Sequence, residues 1–168
     1  MKVCSFFGYR DFKPTEEMER KVYCIIEDLI DKGVNRFLFG SRSDFDTFCH
    51  SVVTKLQKKY PNIVRVSYLC VHERSCLIGE GKDEEEWLKR FAKIDVNVKE
   101  YEEIKRSDRI NSAGRASYIE RNQWMIDESD IVVVCVKENP NRSSGSVLAL
   151  KYAKKCKKQV IDIKADDF

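Results

Sequence analysis

The sequence predicts an α/β fold of three layers, a mostly parallel sheet with helices on both faces. Three observations lead there. Short apolar runs alternate with segments of helical spacing along nearly the whole chain. One run, residues 131–136 (IVVVCV), is continuously apolar, as a strand covered on both faces must be. Small or basic loops repeatedly follow a strand and precede a helix, which places them on one edge of a parallel sheet.

Each element has a local reason. Residues 2–7 form a short apolar strand that ends in Gly8-Tyr9-Arg10. Pro14, Thr15, Glu16 and Glu17 then announce a helix with acidic residues in its first turn, carried over 15–32 by Met18, Val22, Ile25, Ile26, Leu29 and Ile30 and stopped by Gly33. Residues 36–39 are a second strand, closed by Gly40-Ser41-Arg42-Ser43-Asp44, and 45–60 a second helix with Phe48, Val52, Val53 and Leu56 on one face. Pro61 breaks it, and 63–71 read as a third strand.

The middle of the chain is less regular. Residues 83–92 read as a helix, 96–104 as a strand or extended segment and 105–109 as a polar loop. Periodicity then returns with a helix over 113–128, the strand 131–136, the loop Asn139-Pro140-Asn141-Arg142-Ser143-Ser144-Gly145, a helix over 146–157 and a last strand over 159–163.

A single domain spanning 1–168 is the natural reading of this length, with 42% hydrophobic residues and no Pro/Gly/Ser-rich linker. The amino terminus is too quickly polar for a signal peptide and no apolar run could cross a bilayer, so a soluble, cytoplasmic protein with no membrane contact is expected. Seven cysteines without a C-x-x-C pair suit a reducing compartment. Cys70-x-His72-x-x-x-Cys76 is the one stretch with metal-ligand flavour, but it lacks a fourth ligand, and no metal or cofactor is expected. With 31 basic against 28 acidic residues the charge is nearly balanced, and nucleic acid is not expected as a partner.

Open α/β sheets bind ligands beyond the carboxyl ends of their strands, where the strand order reverses. A glycine or serine there admits a phosphate to the backbone, the following helix offers unpaired N–H donors, and arginine supplies a planar fork. The ligand-binding candidates are therefore Gly8, Tyr9, Arg10, Gly40, Ser41, Arg42, Arg121, Asn122, Arg142, Ser143, Ser144 and Gly145. Asp44 and Asp46 join them, either as helix caps or as acceptors for ribose hydroxyls. Arg121, on a helix leading into the buried strand, is expected to have an anionic partner.

Four segments together carry a resemblance. Glu120-Arg121-Asn122-x-x-Met125-x-x-x-Ser129-Asp130 before the apolar strand resembles the Rossmann-like superfamily that unites LOG phosphoribohydrolases with DprA/Smf DNA-processing proteins, called SLOG. Cys4-x-Phe6-x-Gly8-Tyr9-Arg10, the loop from Gly40 to Asp46, and Ser144-Gly145-x-x-x-Ala149-x-x-Tyr152-Ala153 are similar to its YpsA-like branch. The resemblance implies a Rossmann-like three-layer sandwich that binds a nucleotide-derived small molecule such as ADP-ribose, cyclic ADP-ribose, NAD or a nucleoside monophosphate. A role as ligand sensor in bacterial or phage defence would follow, and a homo-oligomer is compatible with it.

LOG-type enzymes carry a glutamate where this chain has Ala149, so no catalytic residue is assigned and the reading leans away from an enzyme. The alternatives are a hydrolase or transferase acting at the N-glycosidic bond of nucleotides, with a carboxylate from Asp44, Asp46 or Glu120, and a DprA-like DNA-binding protein.

Overall fold

The computed structural model describes residues 1–76, 94–106, 110, 114–137 and 144–164. Strand β7 (Ile131–Cys135) is buried at all five positions. Parallel neighbours flank it, β1 (Lys2–Gly8) on one side and β8 (Gln159–Asp162) on the other. Beyond β1 come β2 (Val34–Phe39), β3 (Val64–Leu69) and β6 (Glu103–Arg106), giving the order β6-β3-β2-β1-β7-β8. All of its pairings are parallel.

Helices cover both faces. The strands alternate between the two cores although both faces are apolar, because successive side chains of a strand point to opposite sides. Cys4, Phe6, Phe37, Phe39, Val133 and Cys135 pack with α1 (Glu16–Asp31) and α2 (Asp44–Gln57). Phe7, Leu38, Val66, Tyr68, Val132 and Val134 pack with α3 (Arg115–Asp127) and α4 (Gly145–Lys155). The helix starts follow sequence chemistry. Thr15, Ser43 and Ser144 cap α1, α2 and α4 by accepting from the N–H groups of Met18, Asp46 and Val147. Gly114, at φ 63°, begins α3 without a side-chain cap.

The irregular middle differs from its sequence reading. The strand expected over 63–71 ends at Leu69, and Glu73–Cys76 form a separate strand, β4. The stretch 96–104 divides: β5 (Ile94–Asn97) pairs with β4 in a small parallel sheet, a 3-10 turn covers Val98–Glu100, and Glu103 and Ile104 enter β6. Lys105 and Arg106 therefore belong to a strand and not to a polar loop. Ion pairs anchor this edge, Arg36 to Glu103 through two bonds of 2.7 and 2.5 Å and Arg65 to Glu102 at 2.8 Å. The helix expected over 83–92 lies outside the described residues.

Candidate functional site at the carboxyl edge of the sheet

From β1 the chain proceeds to β2 and β3 on one side, while β7 and β8 lie on the other, so strand order reverses between β1 and β7. Gly8 and Cys135 are partners in register at the carboxyl end of that pair. Because the strands are parallel and each helix returns the chain, the carboxyl ends of β1, β2, β3 and β7 and the amino termini of α1 to α4 gather on this edge. The backbone N–H of Asp44 donates to the carbonyl of Arg10 at 3.2 Å, tying the first loop to the second. The Arg10 and Asp44 side chains are exposed. Tyr9 packs edge-on to Phe12, with the Lys137 ammonium 4.5 Å from its ring centroid.

Deeper in the edge, two arginines meet one carboxylate. Arg42 takes a left-handed backbone conformation (φ 53°) and aims its guanidinium inward. Its Nε and Nη2 donate to Glu73 Oε1 and Oε2 at 3.2 and 3.3 Å, and Nη2 also reaches Ser67 Oγ at 2.8 Å. Its Nη1 donates to the Tyr101 hydroxyl at 3.3 Å. Arg121, from α3, donates to the same Glu73 Oε1 at 3.0 Å and to Asn122 Oδ1 at 3.3 Å. Glu73 is fully buried and accepts a further bond from the N–H of Cys70 at 3.3 Å.

Asp46 completes the charged cluster. It is buried and accepts from the Gly40 N–H at 3.5 Å. Burial pushes its carboxyl above the ordinary range, with Arg42 and Arg121 opposing that shift. Ser41 Oγ lies 3.3 Å from Ser43 Oγ, which caps Asp46. The anionic partner expected for Arg121 is thus present within the chain as Glu73. Glu73 was not among the sequence candidates, and its one signal was position: an acid just beyond a strand's carboxyl end, facing two arginine-bearing elements.

The candidate glycines differ in what surrounds them. A Cβ on Gly8 would stand 2.3 Å from the Phe45 ring, and one on Gly40 would stand 2.7 Å from Met125 Sδ and 3.1 Å from Arg121 Nε. Both are absent side chains that let helices approach the sheet. Gly145 has nothing within 4 Å of a Cβ position, and with Ser144 it forms the exposed amino terminus of α4. Arg142 and Ser143 lie outside the described residues.

From Gly145 a groove of about 210 Å³ runs between α3 and α4, floored by Ile119, Leu148, Ala149 and Tyr152 and edged by Lys151 and Lys155. Asn122 lines it too, and so touches both the groove and Arg121. Of the metal-flavoured stretch, Cys70 is buried and His72 Nε2 accepts from the Gly114 N–H at 2.7 Å. Among the described residues no three His, Cys, Asp or Glu side chains gather as a metal cage. No described helix is long and apolar enough to cross a membrane.

The architecture is that of an open α/β sheet whose strand order reverses between β1 and β7. No family model matches the sequence, and the search of curated proteins finds no match. Among solved structures the chain is similar to DNA processing protein A from Helicobacter pylori, described for its single-stranded DNA binding mode, with a TM-score of 0.53 and 17% identity. The likeness covers 96% of this chain and 64% of that one, so this chain spans less than two thirds of it. It establishes the fold alone.

One expectation is corrected. Near-balanced charge had argued against nucleic acid, yet a chain of this fold is described as binding single-stranded DNA, so net charge does not exclude that partner. Net charge averages over the whole surface, whereas a strand meets only the groups along its path.

Proposed function

We propose that this protein is a SLOG-like nucleotide-binding domain that holds phosphate at the carboxyl edge between β1 and β7, with single-stranded DNA as the ligand. One juxtaposition carries the reading. The open amino terminus of α4, with Ser144 as cap and no side chain at Gly145, adjoins the strand pair whose β1 end bears Tyr9 and exposed Arg10. Unpaired helix N–H groups and a guanidinium on the same edge suit a phosphodiester, and the partly exposed Tyr9 ring offers an aromatic surface to a base. The likeness to DNA processing protein A favours a polymeric ligand over a free one.

A second reading keeps the same edge for a free nucleotide, such as ADP-ribose, cyclic ADP-ribose, NAD or a nucleoside monophosphate, in a sensing role. The YpsA-like spacing of Gly8-Tyr9-Arg10 and Ser144-Gly145 favours it. Cleavage of the N-glycosidic bond has less support, because Ala149 lines the groove where the LOG-type glutamate would stand and the acid beside Arg121, Glu73, is enclosed.

Fluorescence anisotropy of a labelled oligothymidylate, titrated with the protein at low and moderate salt, tests the proposal. Saturable binding that weakens with salt and is displaced by unlabelled single strand supports DNA. Displacement by a mononucleotide or NAD at comparable concentration would favour the second reading, and no binding of either would overturn both.

A further inference from the structure

The Arg42, Glu73 and Arg121 cluster has features that a purely structural ion network does not need. Two guanidiniums face one carboxylate, and burial weakens Asp46 as a second counter-charge. Arg121 Nε is buried with no hydrogen-bond partner among the described residues, so the network is short of an acceptor. Arg42 is held at φ 53°, a conformation that costs a non-glycine residue energy and persists where surrounding contacts impose it. Its side chain is 18% exposed, which gives the cluster an opening to solvent.

Glu73 also lies outside the six-stranded sheet. It opens β4, which pairs with β5 in a two-stranded sheet separate from the six-stranded one. Moving Glu73 therefore leaves the main sheet intact. A phosphomonoester carries about −1.5 to −2 charge near neutral pH and three acceptor oxygens, a closer match to two guanidiniums than a single carboxylate.

We propose that Arg42 and Arg121 form a phosphoryl-binding pair whose resident occupant is the Glu73 carboxylate, and that a terminal ligand phosphate displaces Glu73 when it binds. This rests on the reading of the carboxyl edge as a nucleotide site and adds an internal competitor to it. Occupancy is then coupled to the position of β4: the incoming anion releases the Cys70 N–H from Glu73, and β4 is freed from the loop after β2.

Inorganic phosphate is the probe, so the outcome does not depend on which nucleotide is bound. Phosphate affinity is measured by calorimetry at constant ionic strength for the wild-type protein, Glu73→Gln and Glu73→Gln with Arg42→Ala. The neutral amide removes the competing charge, and Glu73→Gln is expected to bind phosphate about tenfold more tightly, a gain lost with Arg42→Ala. Should Glu73→Gln fail to fold, Glu73→Asp, whose shorter carboxylate withdraws from the pair, is read in the same way. In wild type, saturating phosphate is expected to raise hydrogen exchange at the Cys70 amide. Equal phosphate affinity in wild type and variant, or a Cys70 amide that becomes more protected, would overturn the proposal. Failure of DNA and nucleotides to bind, with the phosphate difference intact, would overturn the function reading and leave the displaced carboxylate standing.

Discussion

Arg121 Nη1 donates to Glu73 Oε1 at 3.0 Å, joining α3 to the first residue of β4 between side chains that are 2% and 0% exposed. Without Arg121, Glu73 keeps Arg42 as its ion-pair partner but loses one charge-assisted hydrogen bond in a buried site. Arg121→Ala is expected to cost about 1.5–3 kcal/mol of stability. Urea denaturation followed by circular dichroism checks this. A loss below about 1 kcal/mol, the size expected of an exposed pair, would show that Glu73 regains water in the variant.

Gly8 and Gly145 look alike as glycines of strand-to-helix loops, yet substitution should act in opposite directions. Gly8→Ala would drive a methyl group into the Phe45 ring, which is itself fixed edge-on to Phe12. The expected cost is about 1–3 kcal/mol, and it should shrink in a Phe45→Leu background, where part of the ring's space is vacated. Gly145→Ala meets nothing and should stabilise by about 0.4–1 kcal/mol through the unfolded chain. Denaturation midpoints of Gly8→Ala, Phe45→Leu, their double variant and Gly145→Ala decide the matter.

Ser144 separates capping from ligand binding. Its Oγ accepts from the Val147 N–H at 3.3 Å, so Ser144→Ala should lose about 1 kcal/mol of stability. Ser144→Asp keeps an acceptor at the cap but places a negative charge at the helix terminus, so stability should hold while oligonucleotide affinity falls. Unchanged anisotropy titrations with Ser144→Asp would remove the α4 terminus from the phosphate path.

Glu102 should make the edge strand sensitive to acid. Partial burial works to raise its carboxyl, but bonds from Arg65 and Gln57 prevail and bring it from 4.5 to about 2. A folded-state value below the unfolded one means a contribution fully present above pH 4.5 and lost as pH falls towards about 2. Glu102→Gln should therefore melt lower than wild type at pH 6, with the difference closing between about pH 4.5 and pH 2. A gap in melting temperature that stays constant across that range would mean that the ion pair with Arg65 contributes nothing.

The order of strands and helices, the parallel sheet and the edge on which its loops meet were legible because each rests on short-range pattern. A continuous apolar run such as IVVVCV and the spacing of Met18, Val22, Ile26 and Leu29 carry their own periods, and Thr15, Ser43 and Ser144 cap helices through residues only three positions away. The division of 63–76 and 94–106 among β3, β4, β5 and β6 was not legible, since four-residue strands span too few side chains to show a period. Glu73 was hidden for a different reason. Its partners lie 31 and 48 positions away and meet it only once the sheet order has set the loops side by side. The glycines divide in the same way: sequence marks Gly8, Gly40 and Gly145 alike, and only packing gives the first two a neighbour and leaves the third open, because excluded volume depends on what the fold brings near.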